Sequence, residues 1–300
     1  MKTISLSDGT STPWLAFGTG TAYYQKAATD GVLLAFEHGF THIDAAQIYM
    51  NEESVGDAIA ASKKPRGDMY ITTKLYQLAE GQTVSSSLEG SLKKLKVDYV
   101  DLFLIHMPQV HDGKVVDVWK GMVEAKKKGL TKSIGVSNFN VKYLEQFRAT
   151  GLEMPVVNQI EFHPFVYHML VPLLKYHSEH GIITSSYGGL SPILPRSEEK
   201  LKTQHPKERK DLLDALEKLA AARSDAGKKV THDQILFKWL QAKNILAVTT
   251  SSNAARLDGY VASENLSELS EEEQKLIESA VGTVTFKSFE MFTHMEDQTA

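Results

Sequence analysis

Three apolar runs of this 300-residue sequence end in a side chain that can carry a charge. Asp44 lies at the end of "THIDA", one residue before Ala45, while Lys74 ends "MYITTK" and His106 ends "YVDLFLIH". A phenol, Tyr49, follows Asp44 by five positions. Each residue alone has an ordinary structural explanation, but ending several buried strands in charged groups costs free energy unless those groups pair or react. Together the four side chain types suit proton transfer to a carbonyl oxygen that becomes an alkoxide.

Tyr49 is the predicted proton donor of this set. A free phenol has a pKa of about 10 and is a poor acid at neutral pH, so we expect the Lys74 ammonium to lower the pKa of Tyr49. Asp44 would keep Lys74 charged and oriented. His106 would donate a hydrogen bond to the substrate carbonyl and position it. No side chain in the set carries a hydride, so the chemistry implies a cofactor.

Eight short apolar or β-branched runs alternate with helical patterns, which predicts a parallel sheet closed into a (β/α)8 TIM barrel. The strand candidates are "WLAFGT", "THIDA", "MYITTK", "YVDLFLIH", "TKSIGVS", "PVVNQIEF", "GIITSSY" and "NILAVTT". The helices are predicted at about residues 28–38, 51–62, 82–95, 116–128, 140–150, 167–180, 209–223 and 254–262, with one more at 231–242. Because barrel active sites lie at the carboxyl ends of the strands, the titratable strand ends would share one cleft.

Three other segments have distinct patterns within what we expect to be a single domain over residues 1–300. Asp8-Gly9 lies between two β-like runs and predicts an N-terminal β-hairpin that covers the bottom of the barrel. Residues 190–208 form the longest non-periodic segment and are predicted to be a loop that could fold over a ligand. The C-terminal tail carries Phe286, Phe289 and Phe292. Their spacing fits either a packed helix or an aromatic flap over the pocket.

Composition excludes several functional classes. A net charge of −4 gives no electrostatic reason to expect a nucleic-acid partner. The absence of cysteine excludes disulfides, thiolate nucleophiles and cysteine-bound metals. The first residues lack the apolar core of a signal peptide, and no run approaches the roughly 18 to 20 apolar residues of a membrane span. We therefore expect a soluble cytoplasmic protein.

Two dinucleotide-binding patterns in the sequence are incomplete. "GTGTAY" lacks the third glycine of the G-x-G-x-x-G fingerprint and an acidic ribose partner about 20 residues later. Tyr70 and Lys74 have the Y-x-x-x-K spacing of short-chain dehydrogenases, but that pair must lie on a helix to share a face. The run "MYITTKL" is β-branched and predicts a strand, on which residues four apart are separated by roughly 13 Å. A Rossmann enzyme is therefore disfavoured.

Histidines are the only abundant metal-ligand type beside the carboxylates. His163, His168, His177 and His180 are scattered without ligand spacing. No metal site is predicted, and a metal-dependent barrel hydrolase is disfavoured.

Long stretches of the chain resemble the aldo-keto reductase family. "GFTHIDAAQIYMNEESVG", "KSIGVSNFN" and "VVNQIEFHP" are similar to the family's characteristic segments, with Thr41 where arginine is commoner and Ala45 where threonine is usual. Within the family the chain most resembles fungal carbonyl reductases that act on conjugated polyketones and ketopantoyl lactone. The resemblance implies that Tyr49 is the acid, that Asp44 and Lys74 activate it and that His106 orients the substrate.

The resemblance also implies NADPH as cofactor. Ser137, Asn138 and Gln159 match residues that bond the nicotinamide carboxamide, and Tyr187 matches the ring that stacks on nicotinamide. The full set of implied cofactor contacts is Gly18, Thr19, Gly20, Asp44, Ser137, Asn138, Gln159, Tyr187, Gly188, Leu190, Ser191, Thr249, Thr250, Ser251, Ser252, Asn253 and Arg256. Leu190 and Ser191 would lie beside the pyrophosphate, where Gly188 and Gly189 replace the commoner Ser-Pro.

At the adenine end, "VTTSSNAAR" is similar to the segment that grips a 2′-phosphate in the family. Arg256 matches the family's arginine, but Thr250 stands where most members have lysine. One cationic contact is therefore missing, which leaves NADH use less firmly excluded. Gly259 and Tyr260 replace a Glu-Asn pair that often contacts adenine, so those contacts do not transfer.

The implied substrate contacts are Gly20, Tyr49, His106, Met107 and Phe289. Gly20 and Met107 occupy positions that are often tryptophan in the family, so a wider cleft and a bulky or cyclic ketone are expected. Potassium-channel β-subunits share the fold and retain cofactor while acting as partners. A cofactor-binding partner subunit with little turnover is therefore the alternative to an enzyme. The resemblance favours a monomer or a homodimer.

Overall fold

A computed structural model describes residues 1–224 and 229–298 of the chain. Eight parallel strands close into a barrel in the order β10-β3-β4-β5-β6-β7-β8-β9. They are β3 (Leu15–Gly18), β4 (His42–Asp44), β5 (Tyr70–Leu75), β6 (Val100–Ile105), β7 (Thr131–Ser137), β8 (Val157–Glu161), β9 (Ile183–Tyr187) and β10 (Leu246–Thr249). Each strand lies within one of the eight predicted runs except that β5 extends to Leu75. The predicted (β/α)8 TIM barrel is confirmed.

Eleven α-helices surround the strands within the described residues. They are α1 (Thr29–Glu37), α2 (Glu52–Ser62), α3 (Val84–Leu95), α4 (Val115–Lys127), α5 (Val141–Arg148), α6 (Pro164–Glu179), α7 (Pro195–Gln204), α8 (Pro206–Ala221), α9 (His232–Ala242), α10 (Ala254–Ala262) and α11 (Glu271–Val281). All nine helices expected from the sequence are present. Their bounds differ from the predicted ones by three residues or fewer.

The prediction of a loop over residues 190–208 was wrong. A 3-10 turn occupies Ser191–Ile193, α7 follows it, and α8 begins at Pro206. Both helices start on a proline, whose missing N–H would have no partner in the first helical turn anyway. In the sequence, those prolines favoured a loop. The buried face of α7 consists of Ser197 and Leu201, so the sequence of this helix has little apolar periodicity.

The N-terminal hairpin pairs β1 (Thr3–Ser5) with β2 (Ser11–Pro13) across the tight turn predicted at Asp8-Gly9. Gly9 has φ +85°, a conformation that side chains other than glycine rarely adopt. The Asp8 carboxylate accepts hydrogen bonds from the Thr10 N–H (3.1 Å) and from the Ser133 hydroxyl (2.8 Å) at the start of β7. The hairpin is thereby bonded to the end of the barrel opposite the strand carboxyl ends.

Buried histidines contribute hydrogen bonds inside the barrel wall. His42 on β4 contacts the Thr72 hydroxyl at 2.8 Å, and burial lowers the pKa of His42 to about 4. His177 on α6 contacts Asn158 at 3.0 Å and Thr184 at 2.9 Å, and burial lowers its pKa to about 3. Both rings are therefore neutral near pH 7, and their contacts are structural.

The C-terminal segment after α11 returns across the carboxyl ends of the strands. Phe286 packs against Phe165 of α6 with ring centroids 6.1 Å apart, while Phe289 lies edge-on to Tyr187 at 5.0 Å. Up to residue 298, where the described part of the tail ends, its helical structure is a short 3-10 helix, Thr293–Glu296. Of the two alternatives for this segment, the aromatic flap is therefore confirmed and the packed helix is wrong.

No helix within residues 1–224 and 229–298 is both long enough and apolar enough to cross a membrane. Within these two described ranges, no three His, Asp or Glu side chains are grouped in a way that could hold a metal ion.

Candidate active site

The centre of the cleft is a buried ion pair between two neighbouring strands. The Lys74 ammonium on β5 donates to the Asp44 carboxylate, which ends β4, and to the Ala45 carbonyl at 3.0 Å. Both side chains are almost fully buried. The other Asp44 oxygen accepts from the Gln159 amide of β8 at 2.8 Å. Because every charge has a partner, Asp44 holds Lys74 charged and in one orientation.

Tyr49 lies beside this ion pair at the end of a 3-10 turn, Gln47–Tyr49. Its hydroxyl is 3.3 Å from Lys74 Nζ, and its ring meets the His106 ring edge-on with centroids 5.5 Å apart. A Cβ placed on Gly20 would come within 2.8 Å of the Tyr49 ring. Gly20 therefore leaves room for the phenol itself, in addition to any room for substrate.

The expected sign of the Tyr49 pKa shift was wrong. Lys74 lowers the pKa of the phenol, but burial of the hydroxyl has the larger effect, so the pKa of Tyr49 is raised above its usual value. Burial also acts to lower the pKa of Lys74, but the Asp44 carboxylate and Tyr49 outweigh it, and that pKa is raised. Tyr49 is therefore a protonated phenol and Lys74 a permanent cation near pH 7.

His106 closes the opposite side of the reacting centre. Its backbone N–H donates to the Leu75 carbonyl at 2.9 Å, and its carbonyl accepts from the Asn138 amide at 3.1 Å. Burial, with a smaller effect from Lys74, holds the pKa of the imidazole well below its usual value. Its Nδ1 has no hydrogen-bond partner. A neutral ring can donate one hydrogen bond to a carbonyl oxygen without adding charge to the site.

The polar side chains that the resemblance implies for the carboxamide lie on or directly after β7, β8 and β9. Ser137 donates to the Gln159 carbonyl at 2.7 Å, and Tyr187 donates to the Asn138 side-chain oxygen at 2.7 Å. Asn138 itself has φ +62°, which turns the chain sharply at the end of β7. The geometry therefore brings Ser137, Asn138, Gln159 and Tyr187 together at the cleft floor.

Asn51 was expected to cap the helix that follows Tyr49. It occupies the cap position of α2, but its side chain makes no capping bond. Its amide instead donates to the carbonyls of Thr19 (2.9 Å) and Tyr23 (2.8 Å). Asn51 therefore bonds the loop after β3 to the start of α2, next to Tyr49.

A cavity of about 540 Å³ runs from this centre to the start of α10. Most of the predicted contacts line it: Gly18, Gly20, Asp44, Tyr49, His106, Met107, Ser137, Asn138, Gln159, Tyr187, Gly188, Leu190, Thr249, Thr250, Arg256 and Phe289. The chain therefore gathers the implied catalytic, cofactor and substrate residues around one space. Lys74 lies behind the wall, in contact with Tyr49 and Asp44.

Several implied cofactor contacts do not reach the cavity wall. Thr19 is buried with its hydroxyl on the Asp44 carbonyl (3.1 Å), and Ser191 is buried with its hydroxyl accepting from Arg196 (3.1 Å). Ser251 accepts from the Asn253 N–H at 3.0 Å, and the Asn253 side chain caps α10. Ser252 is exposed. Here Ser251 and Asn253 make local bonds that shape the turn and the helix start.

The cavity wall also contains residues that were not predicted as contacts, among them Tyr24, Ile48, Leu194, Arg196, Val248, Tyr260 and Met291. Tyr260 could have been found because it lies four residues after Arg256 on α10, and side chains at that spacing share a helix face. Arg196 is one of four cationic side chains in residues 190–208, the segment that was expected to fold over a ligand. The cavity wall therefore has side chains that the family pattern does not supply.

The matches to known proteins agree with this geometry. The sequence profile described as "Aldo/keto reductase family" matches residues 14–281. The chain belongs to the aldo/keto reductase family. This finding confirms the family resemblance of the sequence segments quoted above.

Two relatives and one solved structure illustrate the similarity. An indole-3-acetaldehyde reductase of Schizosaccharomyces pombe, named as NAD/NADP-dependent, is 36% identical over 83% of this chain and 85% of its own length. An NADPH-dependent alpha-keto amide reductase of Saccharomyces cerevisiae is 32% identical over 84% and 82%. The crystal structure of a Bombyx mori aldo-keto reductase in complex with NADP superposes with a TM-score of 0.77 at 30% identity, covering 93% and 92%.

Proposed function

We propose that this chain catalyses the NADPH-dependent reduction of ketones and aldehydes to alcohols. The observation that carries the proposal is the Tyr49 hydroxyl lying 3.3 Å from a buried, ion-paired Lys74 ammonium, beside a neutral His106. When bound, reduced nicotinamide supplies the hydride that attacks the carbonyl carbon. The protein must then supply one proton and stabilise the charge that develops on the carbonyl oxygen.

The role of each site residue in the proposed reaction follows from its contacts. Tyr49 gives its hydroxyl proton to the carbonyl oxygen, and the phenolate that remains is stabilised by the Lys74 ammonium. Asp44 keeps that ammonium in place while the proton moves. His106, neutral at its depressed pKa, donates a hydrogen bond that aligns the carbonyl oxygen with the phenol. The edge-on Tyr49–His106 pair gives the oxygen two donors from adjacent directions.

The cavity has the chemical groups that a phosphorylated dinucleotide requires. Amide and hydroxyl groups lie at the catalytic end, where a carboxamide needs both donors and acceptors. Thr250, where the family usually has lysine, has a buried hydroxyl oxygen without a partner on the cavity wall. Arg256 and Arg196 line the same space. Two guanidinium groups and a free hydroxyl suit phosphate oxygens.

We propose that Arg196 supplies a cationic contact to the pyrophosphate and does not replace the lysine that Thr250 substitutes beside the 2′-phosphate. Its guanidinium donates to Ser191, whose position in the family is beside the pyrophosphate, and it lies 5.6 Å from the Phe289 ring centroid. Arg256, at the start of α10, corresponds to the family's 2′-phosphate arginine. In this assignment Arg196 binds the pyrophosphate that NADPH and NADH share, while Arg256 distinguishes the two.

The substrate proposed is a bulky or cyclic ketone, such as a conjugated polyketone or ketopantoyl lactone. Met107 and Gly20, in positions that are often tryptophan in the family, line the cavity, and exposed apolar side chains of Tyr24 and Met291 extend it outward. Apolar surface at a pocket mouth favours a ligand with an apolar body. Relatives named for indole-3-acetaldehyde and for alpha-keto amides are consistent with substituents larger than those of small aldehydes.

A substrate panel tests this proposal. The purified protein is assayed for NADPH oxidation with ketopantoyl lactone, isatin-like diketones and small aldehydes. We expect turnover with all carbonyl classes and the largest kcat/KM for the cyclic diketones. A preference for small aldehydes or an aldose would contradict the substrate class. NADPH binding without turnover of any carbonyl would contradict the reductase function and favour a cofactor-binding partner subunit.

A further inference from the structure

A buried carboxylate outside the four catalytic side chains holds the flap by its backbone. Glu161 ends β8 and is only 8% exposed. One of its oxygens accepts from the Ser288 N–H at 2.6 Å, and the other accepts from the Phe289 N–H at 3.3 Å. His163, fully buried, contacts the first oxygen at 3.1 Å. Glu161 and Ser288, which accept and donate the shorter of these bonds, are 127 positions apart in sequence.

Burying a carboxylate is unfavourable unless donors compensate for the lost water. Here two consecutive backbone N–H groups of the flap provide that compensation, and hydrogen bonds to an ionised acceptor are stronger than those between neutral groups. No regular secondary structure in residues 284–292 satisfies these N–H groups otherwise. The bonds therefore link a rigid strand to an irregular segment.

The ring that this anchor positions lies on the cavity wall. Phe289 packs edge-on against Tyr187, which pairs with Glu161 in the β8–β9 register and donates to Asn138. The guanidinium of Arg196 on α7 lies 5.6 Å from the centroid of the Phe289 ring. A shift of the Ser288–Phe289 backbone would therefore move one wall of the substrate cleft and a neighbour of the nicotinamide platform.

We propose that Glu161 is a positioning residue that sets substrate affinity by fixing the Ser288–Phe289 backbone, and with it the Phe289 ring, against Tyr187. It acts on substrate through Phe289 and is not one of the four catalytic side chains. The inference rests on the proposed reductase function, in which Phe289 contacts substrate.

Limited trypsin digestion tests the anchor without any assay of activity. The bond after Lys287 adjoins the anchored residues, and the Lys287 side chain is itself largely buried by contacts to Phe292 and Glu296. We expect Glu161→Gln to speed cleavage after Lys287 by about tenfold, because at least one charge-assisted bond to the flap is lost. Glu290→Gln is the matched control in the same segment, since Glu290 is exposed and its salt bridge is with Lys200 of α7. An unchanged cleavage rate in Glu161→Gln would overturn the anchor.

A double-mutant cycle tests whether the effect passes through Phe289. Glu161→Gln should raise KM for a bulky ketone by about tenfold while the Kd for NADPH and the Tm change little. In a Phe289→Ala background the same substitution should have little further effect on KM. Additive effects of the two substitutions, or an equal loss of NADPH affinity, would contradict the proposal.

Ser288→Pro removes the donor of the shorter bond from the flap side and leaves the barrel strands unchanged. It should reproduce the raised KM, which keeps the test decisive if Glu161→Gln does not fold. Trypsin does not cleave a Lys–Pro bond, so the cleavage assay after Lys287 is confined to Glu161→Gln and its control. If the anchor hypothesis is wrong, the wild type is active and trypsin cleaves Glu161→Gln at the wild-type rate. Failure of the proposed function appears as an inactive wild type, whatever the proteolysis rate.

Discussion

At the scale of single residues, the proton donor is subject to two opposing effects. Burial raises the pKa of the Tyr49 phenol, and the Lys74 ammonium lowers it by less. The donor is therefore kept protonated before reaction. The ammonium becomes most valuable after the proton has left, because only then does it face a negative phenolate. Lys74 thus contributes more to the transition state than to the resting state.

Replacing Tyr49 by phenylalanine removes the proton and leaves the ring. We expect kcat for ketone reduction to fall by about 10² to 10⁴, the usual contribution of general acid catalysis, with the Kd for NADPH nearly unchanged. Tyr24→Phe is the control, because Tyr24 also lines the cavity and packs edge-on against Tyr49 but contacts no charged group of the site. Steady-state turnover and a fluorescence titration with NADPH measure both quantities. Full activity of Tyr49→Phe would refute the assigned acid.

The site residues that could be predicted from the sequence are those whose position follows from strand periodicity. Asp44, Lys74 and His106 end apolar runs, so a closed barrel had to bring them together. The sign of the Tyr49 pKa shift could not be read, because it depends on how much water the folded cleft excludes. The close approach of the Tyr49 ring to Gly20 was equally hidden, since it arises between two loops.

At the scale of elements, α7 and α10 bring the two arginines of the cavity from separate parts of the barrel top. Arg196 is the second residue of α7 and Arg256 the third of α10. Helix α10 was predictable because its apolar residues recur with a clear helical period. Helix α7 was missed because three prolines between residues 192 and 206 suggested an irregular loop and few of its residues are buried.

The two arginines should differ in their effect on cofactor choice. Arg196→Ala is expected to raise the Kd for NADPH and NADH alike, by about tenfold, because both share the pyrophosphate. Arg256→Ala should raise the Kd for NADPH by a similar factor and leave NADH unchanged. Titrations that follow tryptophan fluorescence measure all four constants. A loss confined to NADPH in Arg196→Ala would move that residue's contact to the 2′-phosphate.

At the scale of the whole molecule, eight strands place all the titratable groups of the reaction at one end and keep neutral histidines in the wall. His42 and His177 have pKa values of about 4 and about 3 in the fold, below the value of about 6.5 for an exposed histidine. Between these values the unfolded chain binds protons that the folded chain does not. Stability therefore falls as the pH drops below about 6.5 and is fully present above it.

Thermal unfolding should show this dependence. At pH 5 each of the two histidines costs about 2 kcal/mol relative to pH 7, and the sum of about 4 kcal/mol corresponds to a Tm lower by about 6 °C in a chain of this size. His106, whose pKa is also depressed, acts in the same direction. His177→Asn should flatten the slope, whereas His168→Asn, at an exposed position, should not. A Tm that is equal at pH 5 and pH 7 would contradict the assignment.

The closed barrel and its hairpin were predictable at this scale because the chain repeats one βα unit eight times. The helical content of residues 190–208 was not predictable, because its prolines favoured a loop and few of its side chains are buried. The Glu161 anchor was not predictable, because it joins segments that are far apart in sequence.

The positions of the proposed proton-transfer groups and of the cavity wall in the fold have a practical consequence. Asp44, Lys74 and His106 are at or next to the ends of three adjacent strands, whereas Tyr24 and Met291 belong to loops that carry none of these groups and Met107 directly follows His106. A combinatorial library restricted to these loop positions would explore new substrate shapes while leaving the proton-transfer groups intact. The molecule therefore offers a starting scaffold for changing substrate preference by directed evolution.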